Sequence, residues 1–150
     1  MSDSNRELIL QSIKSTCENI TEDSNGFNNN VTQVFRKMVT YDDSSLTFPV
    51  LMVLGGGEVF EDQFDPKTIS KLRVKIRGYT KDEHDPEIAL NGLIKDVMQV
   101  LESKEYNPYY KSYKPVSLDT DEGWLSTEMN GLGLFELTIE ILYRFSRSDP

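Results

Sequence analysis

The chain has one cysteine and one histidine in 150 residues, and its bases are outnumbered by its acids. A lone Cys17 excludes an intramolecular disulfide and makes a reducing, intracellular setting the expectation. Cys17 and His84 lie far apart in sequence and cannot supply the Cys and His set that zinc takes. No apolar run approaches the roughly 20 residues needed to cross a bilayer, the longest being Phe48 to Leu54. The opening MSDSNRELIL is too polar and too acidic for a secretory signal, so a soluble protein is expected. Against 25 acids stand 16 bases, a formal charge of −9. That balance disfavours adhesion to nucleic-acid phosphates or to an anionic membrane. Repeats, heptads and linkers are missing as well, which leaves one domain over residues 1–150.

What is present is the composition of an ordinary globular protein, 37% hydrophobic and 27% charged. Ser4-Asn5-Arg6-Glu7 reads as a capping box. Ile9, Ile13, Cys17 and Ile20 follow at helical spacing, predicting a helix to about Ile20. TEDSNGFNNN is a loop, and VTQVFRKMV, Val31 to Val39, predicts a strand. Val50 to Leu54 is apolar on both faces, as in a strand covered on each side. KLRVKIRGY alternates, with Leu72, Val74 and Ile76 on one face and Lys71, Arg73, Lys75 and Arg77 on the other. The strongest strand signal is Phe135 to Phe145, where Phe135, Leu137, Ile139, Ile141, Tyr143 and Phe145 share a face. Asp85-Pro86 opens a second helix with the stripe Leu90, Leu93, Ile94, Val97 and Leu101, ending near Glu105. KPVSLDT is a further strand. The fold class expected is α+β: a mixed, mostly antiparallel sheet with two main helices packed on it.

Each candidate site has a structural explanation beside its chemical one. Gly55-Gly56-Gly57 follows an apolar strand as a phosphate cradle would, but Glu58, Glu61, Asp62 and Asp65 come next with no Lys-Ser or Lys-Thr pair. A strand ending in a flexible turn or hairpin corner is the expectation; the alternative is a small-molecule or nucleotide-binding domain, or a weakly marked enzyme, using Gly55 to Glu58. Asp119-Thr120-Asp121-Glu122-Gly123 resembles a calcium loop with its glycine misplaced, and reads better as an acidic turn between strands. His84 has no nucleophile elbow to serve, and the many acids single out no pair. No catalytic, metal or cofactor residue is therefore assigned. Tyr106, Tyr109, Tyr110 and Tyr113 lie among Lys111 and Lys114, a mixture found at protein interfaces and also in loops packed on their own domain. The basic strip on Lys71 to Arg77 can pair with Glu136 and Glu140 if the two strands are neighbours.

Taken in order, RELILQSIKSTCENI, FPVLMVLGGGEVF, KLRVKIRGYTKD, the helix IALNGLIKDVMQVL, KPVSLDTDEGW and LFELTIEILYRF resemble the phage tail terminator proteins, small structural components of long-tailed bacteriophage virions. The likeness runs from about Glu7 to Phe145. It implies a virion tail protein, assembled in the host cytoplasm, that closes into a ring, commonly a hexamer, on the finished tail tube. It also implies contacts with the tube protein below and with neck or head-completion proteins above, DNA passing through without specific binding, no membrane and no chemical step. The stretches expected to touch a neighbouring copy are Gly55 to Phe64 and the tyrosine connection, in particular Phe60, Phe64, Tyr109, Tyr110 and Tyr113.

Overall fold

The computed structural model describes residues 4–22, 26–61, 67–102, 113–121, 131–146 and 148–150. Its elements are α1 (Asn5–Cys17), β1 (Gln33–Phe35), β2 (Val50–Glu61), β3 (Lys67–Lys81), α2 (Pro86–Glu102), β4 (Tyr113–Asp121) and β5 (Leu132–Ser146). The strands form one sheet in the order β1-β2-β3-β5-β4. β1 runs parallel to β2, and every other neighbour is antiparallel. This is the expected α+β arrangement, with both helices on one face of a mostly antiparallel sheet.

α1 starts where the capping box predicts, but only half of the box forms. Ser4 Oγ accepts from the Glu7 amide at 3.1 Å, while the Glu7 carboxylate turns away to Arg36, whose Nη2 donates to it at 2.7 Å. A charge-assisted bidentate contact outweighs the return bond to Ser4. The helix ends at Cys17, earlier than its apolar spacing suggested, and Ile20 is buried beyond it. Cys17 has no exposed surface, and burial pushes its thiol up to about 12.

The period-two reading of β3 and β5 holds. Leu72, Val74 and Ile76 lie against Ile141, Ile139 and Leu137 in register, all buried beneath the helices. α2 brings Leu90, Leu93, Ile94, Val97 and Leu101 to the same core, as its stripe predicts, and is described as far as Glu102.

The apolar character of β2 on both faces also has its cause. Leu51 and Val53 face the helices, whereas Val50 and Met52 lie in a second cluster with Val39, Tyr79 and Leu132, against which Phe35, Tyr41, Leu46 and Phe48 pack. The segment 36–49 thus covers the far face, pinned by the Tyr79 hydroxyl donating to the Val39 carbonyl at 2.8 Å. The predicted strand Val31–Val39 shrinks accordingly to Gln33–Phe35. After Phe35 the chain leaves the sheet edge, and Arg36 Nη1 donates to the Val53 carbonyl at 2.5 Å.

Two further expectations are corrected. The strand does not stop at the glycines: β2 continues through them to Glu61, with a bulge between Gly55 and Glu58. Asp119, Thr120 and Asp121 are not a turn either; they extend β4 opposite Glu136, Phe135 and Leu134. Alternation of apolar side chains is absent there, because β4 is an edge strand whose residues Lys114 to Thr120 are all exposed. Glu122 and Gly123 lie outside the described residues.

Candidate functional site

β1 pairs only with Val50 to Met52, and β4 begins opposite Ile141. Past these limits β2, β3 and β5 have no further strand beside them among the described residues and form a three-stranded distal end made of residues 58–61, 67–71 and 142–146. On its helix-facing side lies a polar cluster centred on Glu58, whose side chain keeps 10% of its exposure. Arg6 Nη1 from α1 donates to Oε1 at 2.7 Å, and Ser70 Oγ and the Tyr143 hydroxyl donate to Oε2 at 2.6 and 3.0 Å. Arg6 Nη2 also donates to the Gly56 carbonyl at 2.6 Å.

The glycines permit this approach. A Cβ on Gly55 would lie 2.6 Å from Arg6 Nη2, and one on Gly56 would lie 3.0 Å from the Arg73 carbonyl oxygen. The run is therefore an opening in the strand through which an arginine reaches the backbone, and its carbonyl points at a cation. A phosphate cradle needs the opposite polarity, amides converging at a helix N-terminus.

Burial alone would raise the Glu58 pKa, but the bonds from Ser70, Arg6 and Tyr143 outweigh it and hold the carboxyl below its ordinary value of 4.5. Burial and the Glu58 carboxylate push the Tyr143 hydroxyl up to about 12. A carboxylate saturated by donors and kept ionised is a poor general base; it ties α1 to the distal strands. The sign of the linkage follows: the Glu58 contribution is complete above its unfolded pKa and is lost as pH falls through the lower folded value. Glu58→Gln is expected to cost about 1–2 kcal/mol near neutral pH. Urea titrations at a series of pH values should show that difference shrinking as pH falls below 4.5, where the unfolded chain begins to take up the proton, and vanishing only below the folded value.

Beyond this cluster the distal end carries apolar side chains. The rings of Phe60 and Phe145 meet edge to face with centroids 5.7 Å apart, and Tyr143 lies 5.8 Å from Phe145. Phe60 is 58% exposed, and on the opposite side Val59 and Leu142 are 63% and 52% exposed, flanking Lys71 in register.

The basic strip meets the partners foreseen for it. Arg73 lies 3.5 Å from Glu140 and Lys75 lies 3.4 Å from Glu136. The bases are about half exposed and the acids partly so, and each such solvent-accessible pair is worth at most about 1 kcal/mol. Arg77, Asp119, Thr120, Leu134 and Glu136 line a shallow cleft of about 90 Å³, well below the roughly 300–1,000 Å³ of small-molecule sites. Among the described residues no group of three or more His, Cys, Asp or Glu side chains is placed to hold a metal, and no helix is long and apolar enough to cross a membrane.

Of the residues singled out for self-contact, Phe60 lies at the exposed distal end. Tyr113 starts β4, half-buried against the core, its hydroxyl donating to the Met98 carbonyl at 3.3 Å. Burial and the neighbouring Glu102 carboxylate push its pKa up. Phe64, Tyr109 and Tyr110 lie outside the described residues. The Glu58 cluster was not legible from the sequence, since Arg6, Ser70 and Tyr143 are brought to it by the pairing of distant strands. The one available signal was an acid placed directly after three glycines in an otherwise apolar strand.

No curated protein matches the chain in sequence. A family described as Bacteriophage Tail Tube Terminator Protein matches residues 3–149, and with nearly its whole length covered, the chain belongs to that family.

Proposed function

We propose that copies of this chain close into a ring, six in number, on the finished end of the tail tube, stop further addition of tube subunits and offer a surface on which the head is joined. The family has a structural role in the phage tail, and the reading adds that the protein works by shape and association, with no chemical step. The observation that carries it is the distal end of the sheet, where Val59, Phe60 and Leu142 stand in solvent. Apolar side chains left exposed on neighbouring strands at one end of a sheet mark a contact surface. A ring needs a head-to-tail contact, in which two different patches of one subunit meet. The acidic balance of the chain suits an opening through which DNA slides, since few phosphates would be neutralised.

The test is a tube-growth assay. Tube protein polymerised with the wild-type chain should give tubes that cease to lengthen and carry a ring at one end in electron micrographs, while Phe60→Asp, still folded by circular dichroism, should leave growth uncapped. Tubes that lengthen equally with and without the wild-type chain, together with a monomeric mass by light scattering at all concentrations, would overturn the reading.

A further inference from the structure

Among the described residues the sheet has two edges that lack a strand partner. On one side β1 covers only Val50 to Met52, leaving the outer edge of β2 from Val53 to Glu61 without a strand. On the other side β4 ends the sheet, and no described strand pairs with its outer edge. Open edges with apolar side chains invite pairing, and proteins usually blunt them. β4 is blunted only in part: Pro115 and the bulge between Pro115 and Ser117 interrupt it, but Ser117 to Asp121 form a regular run. Val116 and Leu118 are 40% and 44% exposed.

Resting on the ring reading, we infer that Ser117–Asp121 of one copy adds to the open edge of β2, at Leu54–Val59, in a second copy. Four observations support this. β4 runs antiparallel to β2 within a subunit, because β2, β3, β5 and β4 alternate in direction. A copy turned about an axis along the strands therefore presents β2 antiparallel to β4, and the sheet continues without a break.

The stagger also works out. Through β5 and β3, Ser117 is level with Leu54 and Asp121 with Val50 in its own subunit. A closed sheet needs a stagger of about one residue per strand for a tilt near 36°, hence about four for a subunit's four long strands. β1 blocks one direction of slip; four residues in the other set Ser117 opposite Val59 and Asp121 opposite Leu54. Because four is even, every side chain keeps its face, and Leu118 falls diagonal to Phe60.

The third observation is Gly57. A Cβ there would meet nothing within 4 Å, in contrast to Gly55 and Gly56, so packing inside the subunit does not call for a glycine. Glycine in a strand marks a bulge or the close approach of another backbone, and Gly57, within the bulge, leaves room for the second. Finally, the charges do not clash. Arg6 and Arg36, paired with Glu58 and Glu7, also donate to carbonyls of β2, whereas Ser117–Asp121 carries Asp119 and Asp121 and no base.

The test is cross-linking between single-cysteine additions, Val59→Cys and Ser117→Cys, in the full chain on tail tubes, with a short bismaleimide that tolerates one residue of register error. The native Cys17 is sealed in the core and stays silent. An equal mixture of the two variants should give a covalent dimer and either variant alone should give none, as a head-to-tail contact requires. The double variant should give a ladder ending at the ring number, and a mixture of Val59→Cys with Ile88→Cys should give nothing. Tubes capped by the mixture with no cross-link, or cross-linked equally by one variant alone, would overturn this contact while leaving the ring. Tubes neither capped nor cross-linked would overturn both.

Discussion

Phe135→Ala is expected to lower the unfolding free energy by about 3–5 kcal/mol, the range for emptying a buried aromatic site. Phe135 is fully buried on β5 and lies across Gly78 of β3, its register partner. A Cβ on Gly78 would come within 2.3 Å of Phe135 Cε1 and 3.0 Å of Leu51 Cδ2. The ring fills the space that the glycine leaves, and the two positions are therefore coupled. Gly78→Ala alone should cost about 1–3 kcal/mol through overpacking. In a Phe135→Leu background the same change should cost less than about 1 kcal/mol, a non-additivity typical of residues in contact. Urea midpoints at constant slope measure all three values; equal costs of Gly78→Ala in the two backgrounds would disprove the coupling.

Asp96→Ala should cost about 2–4 kcal/mol, from stranded donors and the loss of charge-assisted bonds. Asp96 is a fully buried acid in the middle of α2. Its carboxylate accepts from the Asn28 amide at 3.0 Å, from Asn28 Nδ2 at 3.0 Å and from Asn29 Nδ2 at 2.8 Å. This lashes the loop after α1 to α2 and seats Phe27 in the core. Asp96→Asn should lose more than half as much, since its amide would confront donors. Hydrogen exchange offers the second readout: protection at Asn28 should fall further than protection in β3. Uniform loss across both would mean that Asp96 acts on global stability alone.

Much of the architecture could be read from spacing because α2, β3 and β5 each have one face in the core. Leu72, Val74 and Ile76 or Leu90, Leu93 and Val97 announce their periods without help from neighbours. Elements whose fate depends on others are not legible in this way. Val31 to Val39 looks like a strand, but β2 offers it only three partners before segment 36–49 turns to cover Met52. Gly55 to Gly57 looks like an ending, but the strand passes through, with Arg6 and Arg73 in the space of the side chains absent at Gly55 and Gly56. The pairing of Glu136 and Glu140 with the basic strip was foreseeable from charge. Glu58 and Asp96 were not, since a buried acid is indistinguishable from a solvated one until its donors, here Arg6, Ser70, Tyr143, Asn28 and Asn29, are brought in from far along the chain.

The sole native thiol lies beneath α1 with no exposed surface and is held protonated by its burial. An alkylating reagent reaches it only when the helix lifts from the sheet. The unaltered chain thus carries an internal clock, whose rate of covalent labelling reports how often the folded interior opens.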